Sequence, residues 1–137
     1  MIAGKFDPIH DGHIDHILKA SALGDYLIVT THTDDIVRKL KGRCEVPLWA
    51  RMVLLKGILS LYHISGEVRL SIDEDGKSVR TLEMLHPEVF AKGGDRTPDN
   101  MPAEELEVCG RLGIKVIYGV GEPLNKSSGI KIHKEDL

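Results

Sequence analysis

Two histidines three residues apart, His10 and His13, close the run Gly4, Lys5, Phe6, Asp7, Pro8, Ile9, His10, Asp11, Gly12, His13. The run falls between an expected first strand and first helix. One imidazole stands just before the helix and the other within its first turn, where the positive helix end favours an anion. Gly12 keeps the backbone open between them. Imidazoles so placed can donate hydrogen bonds to the α and β phosphates of a nucleotide and stabilise the charge that builds as pyrophosphate leaves. Standing alone, such a pair reads as readily as a surface feature or part of a metal site. A zinc site lacks a third thiol or imidazole at a recognisable spacing, although His16 lies on the next turn.

Other residues could serve the same chemistry. Lys41 precedes Gly42 at an expected helix end, where it reads either as a point charge for triphosphate oxygens or as a cation stabilising the helix dipole. Arg51, on an otherwise apolar helix face, either binds the acceptor phosphate or forms a structural ion pair. Gly93 and Gly94 allow close backbone approach, and Asp95 can accept from a ribose or acceptor hydroxyl, a plain turn being the alternative. Arg96 reads as an acceptor-phosphate clamp or as a loop arginine paired with Asp99. Lys126, Ser127 and Ser128 precede an apolar stretch and are expected to bind β or γ phosphate at a helix N-terminus. Asp7 and Asp11 could help hold Mg2+ against phosphate oxygens, or could be loop and capping residues. No side chain is needed as nucleophile, because an acceptor phosphate oxygen can attack the α-phosphorus directly. His32, His63, His86 and His133 share no motif and read as surface or packing residues, His32 at a strand end being placed to touch ligand.

The elements that must position these residues alternate. Short β-branched runs predict strands over Met1–Ala3, Tyr26–Thr31, Val68–Ile72, Val89–Ala91 and Lys115–Tyr118. Helical spacing predicts helices over Gly12–Leu23, with Ile14, Ile17, Leu18 and Ala22 on one face and Gly24 as a left-handed stop, and from Thr33 or Asp34 to near Gly42. A third follows Pro47, with Leu48, Met52, Leu55 and Leu59 recurring, and the last two cover Ser78–Leu85 and Ala103–Leu112. Gly94–Pro102 reads as a surface loop after the fourth strand. The expected fold is therefore α/β: one Rossmann-like parallel five-stranded sheet flanked by helices, a single domain over residues 1–137. The first strand is short enough to suggest further residues upstream.

With 137 residues, 42% hydrophobic and 28% charged, the chain has the makings of one core. A net charge of -3 and pI near 6.1 offer no general basic surface, so no nucleic-acid partner is expected. No apolar run reaches membrane length and no signal peptide is evident, so no membrane partner is expected. Cys44 and Cys109 have no metal-ligand partners at finger spacing, consistent with reduced thiols in the cytoplasm.

On these residues the chain resembles the HxGH-type nucleotidyltransferases, which include cytidylyltransferases and adenylyltransferases. Asp34, Val37, Leu40, Lys41 and Gly42 look like the family segment after the second strand, Pro47, Leu48 and Arg51 like the next helix entry, and Ala91, Lys92, Gly93, Gly94 and Asp95 like the segment after the fourth strand. The resemblance covers essentially the whole chain and is greatest to glycerol-3-phosphate cytidylyltransferase and the adenylyltransferase domain of ADP-heptose synthase. It implies transfer of CMP or AMP from CTP or ATP to a phosphorylated polyol, sugar or alcohol, with Mg2+ and in a homodimer, and a phosphate-binding role for Lys41. A short chain without a kinase domain leans toward CTP. One departure stands out: where these groups show serine followed by two threonines, this chain reads Lys126, Ser127, Ser128, Gly129, which leaves open a nucleotide-binding regulatory module that has lost turnover.

Overall fold

The computed structural model describes residues 1–122. The elements run β1 (Ile2–Ala3), α1 (Asp11–Ser21), β2 (Leu27–Thr31), α2 (Asp34–Lys41), α3 (Leu48–Leu61), β3 (Gly66–Leu70), α4 (Val79–Leu85), β4 (Val89–Ala91), α5 (Ala103–Leu112) and β5 (Lys115–Ile117). All strand pairs are parallel: β1 on β2, β2 on β3 and β4 on β5.

The expected single five-stranded sheet is found instead as a three-stranded sheet, β1-β2-β3, and a two-stranded sheet, β4-β5. β1 meets β4 through Met1, the residue before the strand. At the seam, the Met1 ammonium donates to the Val89 carbonyl (2.8 Å) and the Ala91 amide to the Met1 carbonyl (3.0 Å).

Helices pack on both faces, and side-chain alternation along the strands sorts the core accordingly. Ile2 and Ala91 join Ile17, Val29, Leu55, Leu59 and Val68 on the α1 and α3 side. Their neighbours Met1 and Phe90 join Leu82, Val108, Cys109 and Ile114 under α4 and α5. The strands thus end on one rim with α1, α2 and the loop after β4 around it, the usual ligand edge of such sheets.

Three local readings are corrected. In α1, Ala20 is buried and Ala22 exposed, and the helix stops on right-handed Ala22 (φ -76°) without using Gly24. The third strand lies two residues earlier than expected, since Gly66 pairs with Leu27 at a place where a Cβ would stand 2.3 Å from the Leu27 carbonyl oxygen. At its far end the Ile72 amide leaves the ladder to donate to Thr81 Oγ1 (3.0 Å).

Candidate active site

The histidine run makes the cap of α1. His10 is the N-cap in extended conformation, and its Nδ1 accepts from the Gly12 amide (3.1 Å). His13, two residues inside the helix, returns the favour: its Nδ1 accepts from the His10 amide (3.2 Å). This reciprocal arrangement satisfies two helix-end amides with imidazoles instead of the usual hydroxyl and carboxylate. It also fixes the tautomers. An Nδ1 that accepts carries no proton, so a neutral ring must hold its proton on Nε2. Burial, then the positive fields of His10 and His16, pushes His13 down to about 4, and burial lowers His10 as well. Both rings are neutral near pH 7, each with one Nε2–H to give. Phe6, buried and left-handed at φ 52°, sets its ring edge-on to His13 (4.9 Å between centroids). The same ring passes 3.1 Å from where Gly4 would carry a Cβ, so a side chain at position 4 would press on it.

These groups open on a cavity of about 600 Å³. Its walls bring together Gly4, Lys5, His10, Gly12 and His13 from the first loop and helix, Lys41 from the end of α2, and Gly93, Gly94, Asp95 and Arg96 from the loop after β4. Three separate stretches of the sequence reading therefore meet in one place. Lys126, Ser127 and Ser128 lie outside the described residues.

Not every expected residue offers its side chain there. Asp7 is buried, and its carboxylate is turned away to accept from the amides of Glu45 (2.9 Å) and Val46 (2.6 Å). Burial would raise this carboxyl, but those two amides and Lys41 outweigh it and hold it below the usual range. Lys41 Nζ lies 3.3 Å from Asp7 Oδ2 and also donates to the Asp7 carbonyl. Asp7 thus positions Lys41, and its carboxylate is engaged by the fold where the sequence reading had it free for nucleotide or magnesium. The Gly12 amide is likewise committed, to His10 Nδ1 and Asp11 Oδ1 (2.8 Å). Phe6 lines the cavity almost wholly from behind, at 1% exposure.

Arg51 is corrected most sharply. It is fully buried, and its guanidinium donates to the carbonyls of Val46, Lys5 and His32, to Thr31 Oγ1 and to Asp34 Oδ1, all between 2.7 and 3.1 Å. With its fork so occupied it is a structural brace beneath the site and cannot grip an acceptor. Arg96 is exposed; its Nη1 donates to the Asn100 carbonyl (3.0 Å), and Asn100, not Asp99, braces the loop through Asp95 and Thr97.

Magnesium has no ready-made cage: among the described residues no three His, Cys, Asp or Glu side chains converge as ligands. Two further wall residues, His16 and Lys92, were met in the sequence but not placed in the site. His16, whose Nδ1 bonds the Val120 carbonyl, sits one turn below His13, and its spacing of three was the available signal. Lys92, over the Phe90 ring at 4.5 Å, is mostly buried and was marked by its place after β4 in the segment that carries the resemblance. Against His16 runs Gly121 (φ +98°), where a Cβ would meet the His16 Cα at 2.9 Å.

Among the described residues no helix is long and apolar enough to cross a membrane. Comparison with known proteins gives a consistent picture. Residues 1–134 match the family model described as Cytidylyltransferase-like. The chain is 36% identical to Bifunctional protein HldE of Shewanella piezotolerans over 120 residues (85% of this chain, 24% of the relative). It is 42% identical to the HldE of Marinomonas sp. over 96 residues (69% and 19%). The matches thus span about a fifth to a quarter of these relatives. A crystal structure of the lipopolysaccharide core biosynthesis protein from Thermoplasma volcanium superposes with TM-score 0.66 and 26% identity, covering 89% of this chain and 94% of that one.

Proposed function

The chain belongs to the cytidylyltransferase-like family of nucleotidyltransferases, and on that premise we propose that it transfers a nucleotidyl group from a nucleoside triphosphate to a small phosphorylated polyol, sugar or alcohol. The observation that carries this reading is the reciprocal imidazole cap of α1. It leaves two neutral Nε2–H donors at the positive end of a helix, facing a cavity of about 600 Å³.

In the proposed reaction the triphosphate lies in that cavity with its α and β phosphates toward His10, His13 and Lys41. An oxygen of the acceptor phosphate attacks the α-phosphorus. A new P–O bond forms as the bond from the α-phosphorus to the α,β-bridging oxygen breaks, and its electron pair leaves on pyrophosphate. The imidazole donors and the Lys41 ammonium stabilise the charge gathering on those oxygens. They are held in place before reaction, the imidazoles by the cap and Lys41 by Asp7, so no reorganisation is needed at the transition state. Mg2+ arriving with the nucleotide would neutralise phosphate charge.

For the donor, the relatedness to HldE proteins and the resemblance to an adenylyltransferase domain favour ATP over the CTP suggested by chain length. Gly93, Gly94 and Asp95 are assigned to the nucleoside, and Arg96 to the acceptor phosphate. Homodimer formation and a cytoplasmic setting belong to the same proposal. Pyrophosphate release measured with ATP and CTP across a panel of sugar, polyol and aminoalcohol phosphates tests it. Release with at least one pair supports transfer, whereas nucleotide binding without release from any pair would identify the regulatory alternative.

A further inference from the structure

We propose that His16, one turn below the two capping histidines, accepts a hydrogen bond from a ribose hydroxyl of the nucleotide, and that this acceptor separates ribonucleotides from their deoxy counterparts. The proposal rests on the nucleotidyl-transfer reading and adds a nucleoside-reading residue to its site.

His10, His13 and His16 all line the larger cavity, and the backbone fixes their rings in two opposite forms. At His10 and His13 each Nδ1 accepts from an amide, so the proton of the neutral ring stands on Nε2. At His16 Nδ1 bonds the Val120 carbonyl, and a carbonyl oxygen can only accept. The proton must therefore stand on Nδ1, which leaves Nε2 with a bare lone pair. Burial lowers the affinity of this ring for a second proton, so it is neutral near pH 7. Nε2 takes no hydrogen bond among the described residues, yet it is not one of their sealed, unpaired atoms, which are His32 Nδ1 and Glu105 Oε1. It is open to the cavity that the ring lines.

The carbonyl that sets this form is itself held. The Val120 amide donates to the Lys92 carbonyl (2.9 Å), and the Glu122 amide donates to Oδ2 of Asp15 (2.8 Å), the residue before His16. Gly121, between them, lies so close to α1 that a Cβ would come 2.9 Å from the His16 Cα. A ring pinned in this way keeps its Nδ1–H on the backbone, and the cavity meets the lone pair.

That lone pair limits its guest. A phosphate oxygen, itself an acceptor, finds no donor there. A metal ion would need further ligands, and among the described residues no three His, Cys, Asp or Glu side chains converge. A neutral donor is left, a hydroxyl or an amine. With the α and β phosphates at His10 and His13, a residue three positions on lies about 4.5 Å farther along the helix axis. On that scale the group joined to the α-phosphate is the ribose, whereas the amine of adenine or cytosine lies beyond it. The charge of Asp95, assigned to the nucleoside, reaches His16. Two acceptors lining one cavity, His16 Nε2 and the Asp95 carboxylate, suit the two neighbouring hydroxyls of a ribose.

The test is calorimetric binding of ATP and CTP to the full chain, beside the 2′-deoxy and 3′-deoxy forms of each, together with a long-range proton–nitrogen NMR spectrum of the histidine rings. The better-bound ribonucleotide should bind about tenfold or more tightly than at least one of its deoxy forms, because the missing hydroxyl leaves the acceptor unpaired. His16→Phe keeps a ring and removes both nitrogens. It should weaken the ribonucleotide by that factor and leave the same deoxy form within about twofold, whereas a purely structural His16 would weaken both alike. The spectrum should place the His16 proton on Nδ1. Should the variant fail to fold, the nucleotide comparison and the spectrum of the native chain decide. Deoxy forms bound as tightly as the ribonucleotide, discrimination unchanged in His16→Phe, equal weakening of both forms, a His16 proton on Nε2, or binding of no nucleotide would overturn the assignment. Ribonucleotide-selective binding with no pyrophosphate release from any acceptor phosphate would sink the transfer reading and leave the assignment standing. Pyrophosphate release at the same KM from ribo and deoxy triphosphates would do the reverse.

Discussion

The rings of His10 and His13 stack face on face, 3.7 Å between centroids and 22° from parallel, each with its Nδ1 turned to the backbone of the helix it caps. A single contact thereby joins helix start, tautomer and charge state.

His13→Ala should lower kcat by about two to three orders of magnitude, as expected for losing one preorganised donor to developing charge. It also removes half of the cap, which should cost about 1 kcal/mol in stability. Pyrophosphate release beside urea unfolding separates the two effects, and unchanged turnover would take the residue out of the mechanism.

Acid should weaken the fold earlier than carboxylate titration alone would. His13 ionises at about 4 in the folded chain against an ordinary 6.5, so between those values the unfolded chain binds more protons and stability rises with pH. Its contribution is complete above about pH 6.5 and is lost as pH falls through about 4, a difference on the order of 3 kcal/mol. Burial lowers His10, His16 and His32 in the same sense. Urea midpoints measured from pH 7.5 downward should decline before Asp7 protonates, and a flat profile to pH 4.5 would contradict the burial of these rings.

Chelation should abolish turnover. Fixed positive charge near the phosphates comes from few side chains, so release of pyrophosphate is expected to fall to background in excess chelator and to return with Mg2+. Undiminished release would mean that Lys41 and the two imidazoles suffice.

Arg51→Met should destabilise the chain by about 3–5 kcal/mol, because it removes a fully buried guanidinium and with it five hydrogen bonds, the ion pair to Asp34 and the bond to the buried His32 carbonyl among them. Unchanged stability with a raised acceptor KM would restore Arg51 to substrate binding.

Element order, and most boundaries to within a residue or two, could be read from the chain, because apolar alternation and helical spacing are local signals. So could the gathering of His10, His13, Lys41 and the loop after β4, since strand ends of a parallel sheet share one rim. What remained illegible depends on contacts between distant segments. Nothing near Asp7 in sequence shows that its carboxylate will be taken by amides 38 and 39 residues away. Arg51 looks the same in sequence whether its fork meets a ligand or five partners from the fold. Glu105 reads as an ordinary first-turn acid of α5, and only burial reveals its unsatisfied oxygen.

Arg51 bears on how the site comes into being. Its partners are Lys5, Thr31, His32, Asp34 and Val46, drawn from three separate segments of chain. A guanidinium sealed from water with only some of them in place would be worse off than one left in solvent, so partial assembly gains nothing. The floor beneath the catalytic rim is therefore expected to close in a single cooperative step, late in folding, and to open as one unit. Amide hydrogen exchange would show this as matched protection at Glu45, Val46 and Leu55, three positions that no single helix or strand unites.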